Sequence, residues 1–313
     1  MGKRSDSNKK SKRWLKIIVG VVLGLFIAVV GYSYSIYNDA KQTVAKKVHE
    51  EVETIDTSIT KKKVEEKQPL NILLLGVDQR KSNSGRSDAL MVLSLDPKNN
   101  SMQLVSIPRD TRTEIVGRGT IDKINHAYAF GGVDMSIATV KNLLDIDLDY
   151  YVRMNMEGLT EMVDAVGGIT VNNKLDWYDR GYYKKGYHYA RGELTLNGPQ
   201  TMGYVRMRYQ DPDGDFGRTE RQRQVIKAVV DKGASFASIG KISNMIDVLG
   251  DNVVTNMEFK DMQDLLMNYS DTRQNFTSYM MAGTPQTING VSYVIVSDDE
   301  VAKVHGMIKK EQS

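Results

Sequence analysis

The 313-residue chain has no cysteine, which excludes disulfides, thiolate nucleophiles and cysteine-ligated zinc together. Its four histidines, His49, His126, His188 and His305, are scattered, so a histidine metal cluster is not expected. No Gly-x-Ser-x-Gly and no Gly-x-x-x-x-Gly-Lys-Ser/Thr occurs, which disfavours a serine hydrolase of the nucleophile-elbow kind and a P-loop NTPase. Internal repeats and low-complexity tracts are also missing. The main body lacks a basic surplus as well. Lys3, Arg4, Lys9, Lys10, Lys12, Arg13 and Lys16 against Asp6 account for more than the whole net charge of +3, so the remainder is slightly acidic. Nonspecific nucleic-acid binding needs a broad positive footprint, and any cationic site in the body must be a local cluster.

What is present is 41% hydrophobic content, enough for one large domain or two ordinary ones. Residues 17–38 contain no charge and are dominated by Ile, Val, Leu, Gly and Phe before Tyr32, Tyr34 and Tyr37. That length suits a membrane-spanning helix, with the tyrosines at an interfacial belt. It exceeds a signal-peptide apolar core, and no clear small-x-small cleavage site follows. The basic tail of residues 1–16 predicts a cytoplasmic N-terminus and a body outside the cell membrane, anchored by a single pass. Residues 39–69 carry Val44, Val48, Val52, Ile55 and Ile59 at helical spacing, which predicts a helical stalk; the alternative is that the stripe packs on the domain or pairs with a second chain, and it is too short to decide. The lysine- and glutamate-rich run before Pro69 marks a boundary, leaving residues 70–313 as the extracellular domain.

In that domain Asn71 to Val77, Ala89 to Leu95, Met102 to Ile107, Tyr150 to Asn155 and Ile169 to Asn172 read as strands. Val133 to Leu144 and Glu157 to Val166 read as helices, the second stopped by Gly167-Gly168. A short helix follows Pro199. Later helices are expected at about 235–249 and 260–269, then a hairpin at Asn289-Gly290 and a closing helix from Asp298. The alternation predicts a mixed α/β fold with a central sheet flanked by helices. Between Asp176 and Tyr189 lies a tyrosine-rich insertion. Such a segment either stacks on sugars and caps a pocket or packs against its own sheet.

Chemistry is most concentrated at two strand ends. Asp78 follows the run Leu73-Leu74-Leu75-Gly76-Val77, and Asp88 opens the next run after a polar loop holding Arg80, Lys81 and Arg86. Two carboxylates at neighbouring strand mouths suit a hard divalent cation such as Mg²⁺; they equally suit two strand ends neutralised by Arg80 and Arg86. Further on come Arg109 as a strand ends, the pair Arg206 and Arg208, and Arg218 with Gln222 on one helix face. Arginine presents a planar fork to phosphate oxygens and stays charged. The alternative partners are local acids, Asp110 for Arg109 and Asp215 or Glu220 for Arg218. The turn holding Asp211, Asp213 and Asp215 lacks the EF-hand layout.

Taken in order, Asn71 to Asp78, Arg86-Ser87-Asp88, Ser106-Ile107-Pro108-Arg109-Asp110-Thr111, Lys123 to Tyr128, Val163 to Ile169, Val205-Arg206-Met207-Arg208, Asp215-Phe216-Gly217-Arg218 and Arg221 to Gln224 resemble the LytR-CpsA-Psr family of Gram-positive bacteria, from about Leu70 to Lys232. The resemblance implies a phosphotransferase with a LytR-CpsA-Psr-like domain. Such proteins move an anionic glycopolymer, typically wall teichoic acid, from an undecaprenyl pyrophosphate carrier to the C6 hydroxyl of N-acetylmuramic acid in peptidoglycan. It also implies that Asp78 and Asp88 hold Mg²⁺, that Arg86, Arg109, Arg206, Arg208, Arg218 and Gln222 surround the pyrophosphate, and that the polyprenyl chain lies in an apolar cavity between sheet and helices. Rival expectations are a polyprenyl pyrophosphate hydrolase and a non-enzymatic envelope receptor or regulator. Direct DNA binding is disfavoured, because a cytoplasmic tail of about sixteen residues cannot form a helix-turn-helix module.

Overall fold

The computed structural model describes residues 35, 37–78, 85–233 and 250–310. The anchor expected at 17–38, apart from its last residues, and the helix expected at 235–249 lie outside them. Among the described residues no helix is long and apolar enough to cross a membrane.

The strands, in chain order, are β1 (Leu70–Val77), β2 (Ser87–Asp96), β3 (Ser101–Ile107), β4 (Arg112–Ile115), β5 (Thr120–Lys123), β6 (Tyr150–Asn155), β7 (Ile169–Asn173), β8 (Trp177–Tyr178), β9 (His188–Tyr189), β10 (Gly192–Leu196), β11 (Val253–Thr255), β12 (Asn275–Met280), β13 (Thr284–Ile288) and β14 (Val291–Ile295). The helices are α1 (Thr57–Glu65), α2 (His126–Leu144), α3 (Met156–Ala165), α4 (Gly198–Arg206), α5 (Gly214–Gly233), α6 (Phe259–Asn268) and α7 (Asp298–Lys310). The main sheet has the order β11-β6-β1-β2-β3-β12. It is mixed: β1, β2 and β3 form an antiparallel meander, while β1 pairs with β6 and β3 with β12 in parallel.

Both faces of this sheet are covered, which explains the nearly continuous apolar run of β1. Because side chains alternate along a strand, Leu73, Leu75 and Val77 point to one face, where they meet Ile137, Val140 and Leu144 of α2 and Val304 and Ile308 of α7. Ile72, Met91, Leu93 and Leu104 point to the other, against α6 and part of α5. A third core joins α3, α4 and α5 to the β7–β10 ribbon through Val163, Ile169, Leu196, Tyr204 and Val225. Local signals agree with these boundaries. Asn155 caps α3 by accepting from the Gly158 backbone N–H at 2.8 Å, and Asn197 and Gln200 close a capping box on α4. Gly167 and Gly168, at φ +76° and +84°, end α3 in a conformation that side-chain-bearing residues rarely adopt. Helix α2 starts earlier than expected, at His126, and is kinked at Gly131 and Gly132.

The 39–69 segment does not stand apart as a continuous stalk. Helix over residues 37–43 passes into a π-helical turn over Val44–Val48 that ends at His49, and the chain then leaves the helix and turns at Glu53 and Thr54 before Asp56 caps α1. Ala40, Val44 and Val48 are buried against Phe259 of α6, Ile55 joins the core beneath α2, and Val64 joins the opposite core. The reason is polar as well as apolar. Asp134 of α2 accepts from the backbone N–H of Glu53 and Thr54 and from the Thr54 hydroxyl, and this holds the linker in a turn where a helix would pair those groups internally. Of the predicted stripe, Ile59 alone stays exposed.

Candidate functional site

Asp78 and Asp88 arrive at the same end of β1 and β2. Gly76 pairs with Ala89, whereas Val77 pairs with Ser87, so Asp88 is the extra residue of a β-bulge. Bulges re-aim a side chain out of the ladder, and the Asp88 carboxylate accepts from Arg109 Nη1 at 2.5 Å. Asp78 is exposed, and its carboxylate has no hydrogen-bond or ion-pair partner among the described residues; its backbone N–H donates to the Arg86 carbonyl at 3.3 Å. Arg80 and Lys81 lie outside the described residues. Arg109 follows β3 on a turn closed by Thr111, whose N–H and hydroxyl both donate to the Pro108 carbonyl.

The second half of the site is built from the junction of α4 and α5. Asp215, in the first turn of α5, faces three arginines: Arg218 Nη2 at 2.7 Å, Arg208 Nε at 3.5 Å and Arg109 Nε at 3.8 Å. Sequence reasoning placed Asp215 only as a neutraliser of Arg218, and its spacing from Arg218 is an ordinary surface pairing; its role as a hub for three arginines depends on β3 meeting α5 in space. Three guanidinium groups thus share Asp88 and Asp215, and Arg109 also faces Asp110 at 3.9 Å, a carboxylate that Lys123 pairs with at 2.8 Å. Burial alone would lower the Arg109 pKa, but the hydrogen bond and charge of Asp88, then Asp215 and Asp110, hold it above its usual value. Arg218 is pushed the other way, by burial and by the like charges of Arg109 and Arg208, against the pull of Asp215 and Asp88. Both remain charged at neutral pH. The Nε groups of Arg109 and Arg218 and Oε1 of Gln222 are buried without a hydrogen-bond partner. Arginine donors left without a hydrogen bond are complementary to an anion with several acceptor oxygens, such as a phosphate ester.

Arg206, on the last turn of α4, is half-buried and has no ion pair or hydrogen bond among the described residues, and Arg86 is exposed just before β2. The structure therefore brings Asp88, Arg109, Arg208 and Arg218 together, and leaves Asp78, Arg86 and Arg206 at the rim. Two further arginines were not expected here. Arg221 is buried in an ion pair with Asp211, donates to the carbonyls of Tyr204 and Met207, and thereby holds the loop that carries Arg208. Arg223 is nine-tenths buried and donates to the Ser106 hydroxyl at 3.4 Å; burial lowers its pKa.

One turn beyond Arg218, Gln222 lines an apolar cavity of about 290 Å³ between the sheet and α5. Ala89 and Met91 form its floor, Leu159 and Met162 of α3 one wall, and Ile226 and Val230 of α5 the roof. A Cβ on Gly76 would lie 3.0 Å from the Ala89 Cβ, so the missing side chain keeps the cavity open where the strands bulge. An apolar chamber one helical turn from an arginine cluster suits an amphiphile with a long apolar tail and a phosphorylated head.

The donor set fits Mg²⁺. This ion takes oxygen ligands, binds through one or two carboxylates, and fills its shell with water and substrate phosphates. Asp78 and Asp88 supply two such carboxylates from adjacent strand ends. Among the described residues no group of three or more His, Cys, Asp or Glu is gathered at a site for a metal.

The model of the LytR_cpsA_psr family matches residues 27–310. The polyisoprenyl-teichoic acid–peptidoglycan teichoic acid transferase TagU of Bacillus anthracis is 46% identical over 292 residues, 93% of each chain. The TagU of Bacillus subtilis (strain 168) is 40% identical over 308 residues, 98% of each chain. Among solved structures, TagT bound to LIIa-WTA superposes with a TM-score of 0.70 at 30% identity, covering 79% of this chain and 91% of that one.

Proposed function

The chain belongs to the LytR-CpsA-Psr family, and we propose that it transfers an anionic cell-wall glycopolymer, wall teichoic acid foremost, from an undecaprenyl pyrophosphate carrier to the C6 hydroxyl of N-acetylmuramic acid in peptidoglycan. The observation that carries this reading is that Gln222, one helical turn from Arg218 of the arginine cluster, lines the apolar cavity. The chamber accepts the polyprenyl chain, and Arg109, Arg208 and Arg218, with Arg86 and Arg206 at the rim, hold the pyrophosphate.

In the reaction the sugar hydroxyl oxygen forms a bond to the phosphorus distal to the lipid. The bond from that phosphorus to the bridging oxygen breaks, and its electron pair leaves with undecaprenyl phosphate. The hydroxyl proton passes to a carboxylate, for which Asp88 is the candidate. The arginines neutralise charge on the transferring phosphoryl and on the departing phosphate. Asp78 and Asp88 would hold Mg²⁺, which adds neutralising charge when bound. A membrane-resident donor agrees with an anchor at 17–38 that places the domain outside the cell.

The test uses the full chain in detergent with a lipid-pyrophosphate-linked teichoic precursor, Mg²⁺ and uncrosslinked peptidoglycan strands, with mass spectrometry of the joined product. Product that vanishes in Asp78→Ala and with EDTA is the expected result. Release of lipid phosphate without joining would make the protein a hydrolase, and donor binding without turnover a receptor.

The cavity has its own prediction. Ala89→Phe places an aromatic ring in a chamber of about 290 Å³ and should weaken binding of undecaprenyl pyrophosphate at least tenfold. Inorganic pyrophosphate, which needs only the arginines, should bind as before. Unchanged lipid binding measured by calorimetry would place the tail elsewhere.

A further inference from the structure

The tyrosine-rich insertion has two parts. Trp177 and Tyr189 stack at 4.8 Å between ring centres, and Tyr204 lies 5.5 Å from Trp177, so these rings belong to the third core. Tyr178, Tyr182 and Tyr209 instead keep 57%, 43% and 74% of their surface exposed. Tyr182 and Tyr209 line a separate cleft of about 350 Å³ with Arg180, Arg208, Gln210 and the edge of Trp177.

The cleft is preorganised. The buried Asp179 carboxylate accepts from the backbone N–H groups of Gly181, Tyr182, Tyr183 and Lys184, and Gln210 Nε2 donates to the Tyr178 carbonyl at 2.9 Å, tying the two walls together. With Asp179 consumed internally, Arg180, Lys184 and Lys185 give this loop a positive face.

Its position matters more than its composition. Arg208 lines the cleft and pairs with Asp215, Asp215 pairs with Arg218, and Gln222 lines the apolar cavity. From Asp215 to Gln222, α5 advances about 10 Å. The order is therefore cleft, arginines, cavity, with the cleft at the far end from the lipid. In a phosphoryl displacement the entering and departing oxygens lie roughly in line across phosphorus. A leaving lipid phosphate on the cavity side puts the entering hydroxyl on the cleft side.

We infer that the cleft between Tyr182 and Tyr209 is the acceptor subsite, binding a glycan strand whose sugar rings stack on the tyrosines and whose carboxylates, those of the stem peptide or, on a strand without peptide, the free lactyl groups, meet Arg180. The inference rests on the transferase reading and assigns the acceptor a place within it. Tyrosine offers a rigid apolar face with a polar tip, which matches the alternating faces of a pyranose. The positive loop favours an acidic glycan over a neutral one.

The probe is a peptidoglycan tetrasaccharide of alternating N-acetylglucosamine and N-acetylmuramic acid, titrated into the full chain in detergent by calorimetry, with chitotetraose as the neutral control. The Tyr182→Ala, Tyr209→Ala double variant should bind the tetrasaccharide roughly tenfold more weakly, raise the KM for peptidoglycan strands by a similar factor, and leave affinity for the lipid-linked donor unchanged. Arg180→Ala should narrow the preference for the tetrasaccharide over chitotetraose. Equal tetrasaccharide binding by wild type and variant, or no binding by either, overturns the inference, as does a variant that loses the donor, which would give the cleft to the donor's own saccharide. Tetrasaccharide binding that needs the tyrosines in a protein that forms no joined product would uphold the cleft and fail the transferase reading instead.

Discussion

Arg109→Ala is expected to lower transfer by roughly 10²–10³-fold, the loss typical of removing one preorganised donor to a charged transition state, while the protein stays folded. Arg109 links the two halves of the site, bonding Asp88 through Nη1 and facing Asp215 through Nε. Its side chain keeps 22% of its surface exposed and Asp88 keeps 26%, so the stranded carboxylate regains water and costs little stability. Arg109→Lys should rescue poorly, because a single ammonium cannot serve Asp88 and a phosphate oxygen with the geometry of a fork. The measurements are single-turnover transfer and thermal unfolding by circular dichroism on the same preparation. A variant that unfolds early, yet transfers normally per folded molecule, would make Arg109 a structural residue and remove it from the site.

The second large effect is on stability. Arg221 and Asp211 are both buried to within a few per cent and paired, and removing one partner leaves an uncompensated interior charge. Arg221→Met should therefore destabilise the protein by about 3–5 kcal/mol, visible as a lower midpoint in urea. Its consequences should reach the site, because Arg221 holds the Met207 carbonyl and Asp211 while Arg208 sits between them. Pyrophosphate affinity should fall in the variant even under conditions where it is fully folded. Gly217 belongs to the same device: a Cβ there would collide with the Asp211 carboxylate, so Gly217→Ala should weaken the ion pair in the same direction. A midpoint unchanged in Arg221→Met would mean that the pair contributes no net stability.

The elements most legible in the sequence were those with local causes. The three strands of the meander, the Gly167-Gly168 stop and the Asn289-Gly290 hairpin each carry their signal within a few residues, and the structure places them as expected. The sequence also singled out Arg109, Arg208 and Arg218, which the structure gathers around Asp215, and the local-acid partners it offered, Asp110 for Arg109 and Asp215 for Arg218, are there as well. The bulge at Asp88 was not legible, since an inserted residue is defined by its partner strand. Asp215 as a hub was hidden for a related reason: its nearest arginine in sequence is Arg218, and the other two come from β3 and the α4–α5 loop. The linker misled only between His49 and Asp56: it is helical on either side, over residues 37–48 and Thr57–Glu65, and breaks where Asp134 of α2, some eighty residues away, claims its backbone donors. The even choice over the tyrosine-rich insertion resolved into a division, with Trp177 and Tyr189 serving the core and Tyr182 lining a cleft.

The docked linker also sets where the protein can be cut. A fragment begun at Leu70 would discard Val44, Val48, Ile55 and Val64, four side chains that are buried in three different cores and are each worth roughly 1.5–3 kcal/mol of burial. It would leave Phe259 bare, strip Asp149 of its Lys63 partner, and expose apolar surface on both sides of the sheet. The smallest unit fit for expression and crystallisation thus starts near residue 37, and the segment before the sheet is best regarded as its first folded element.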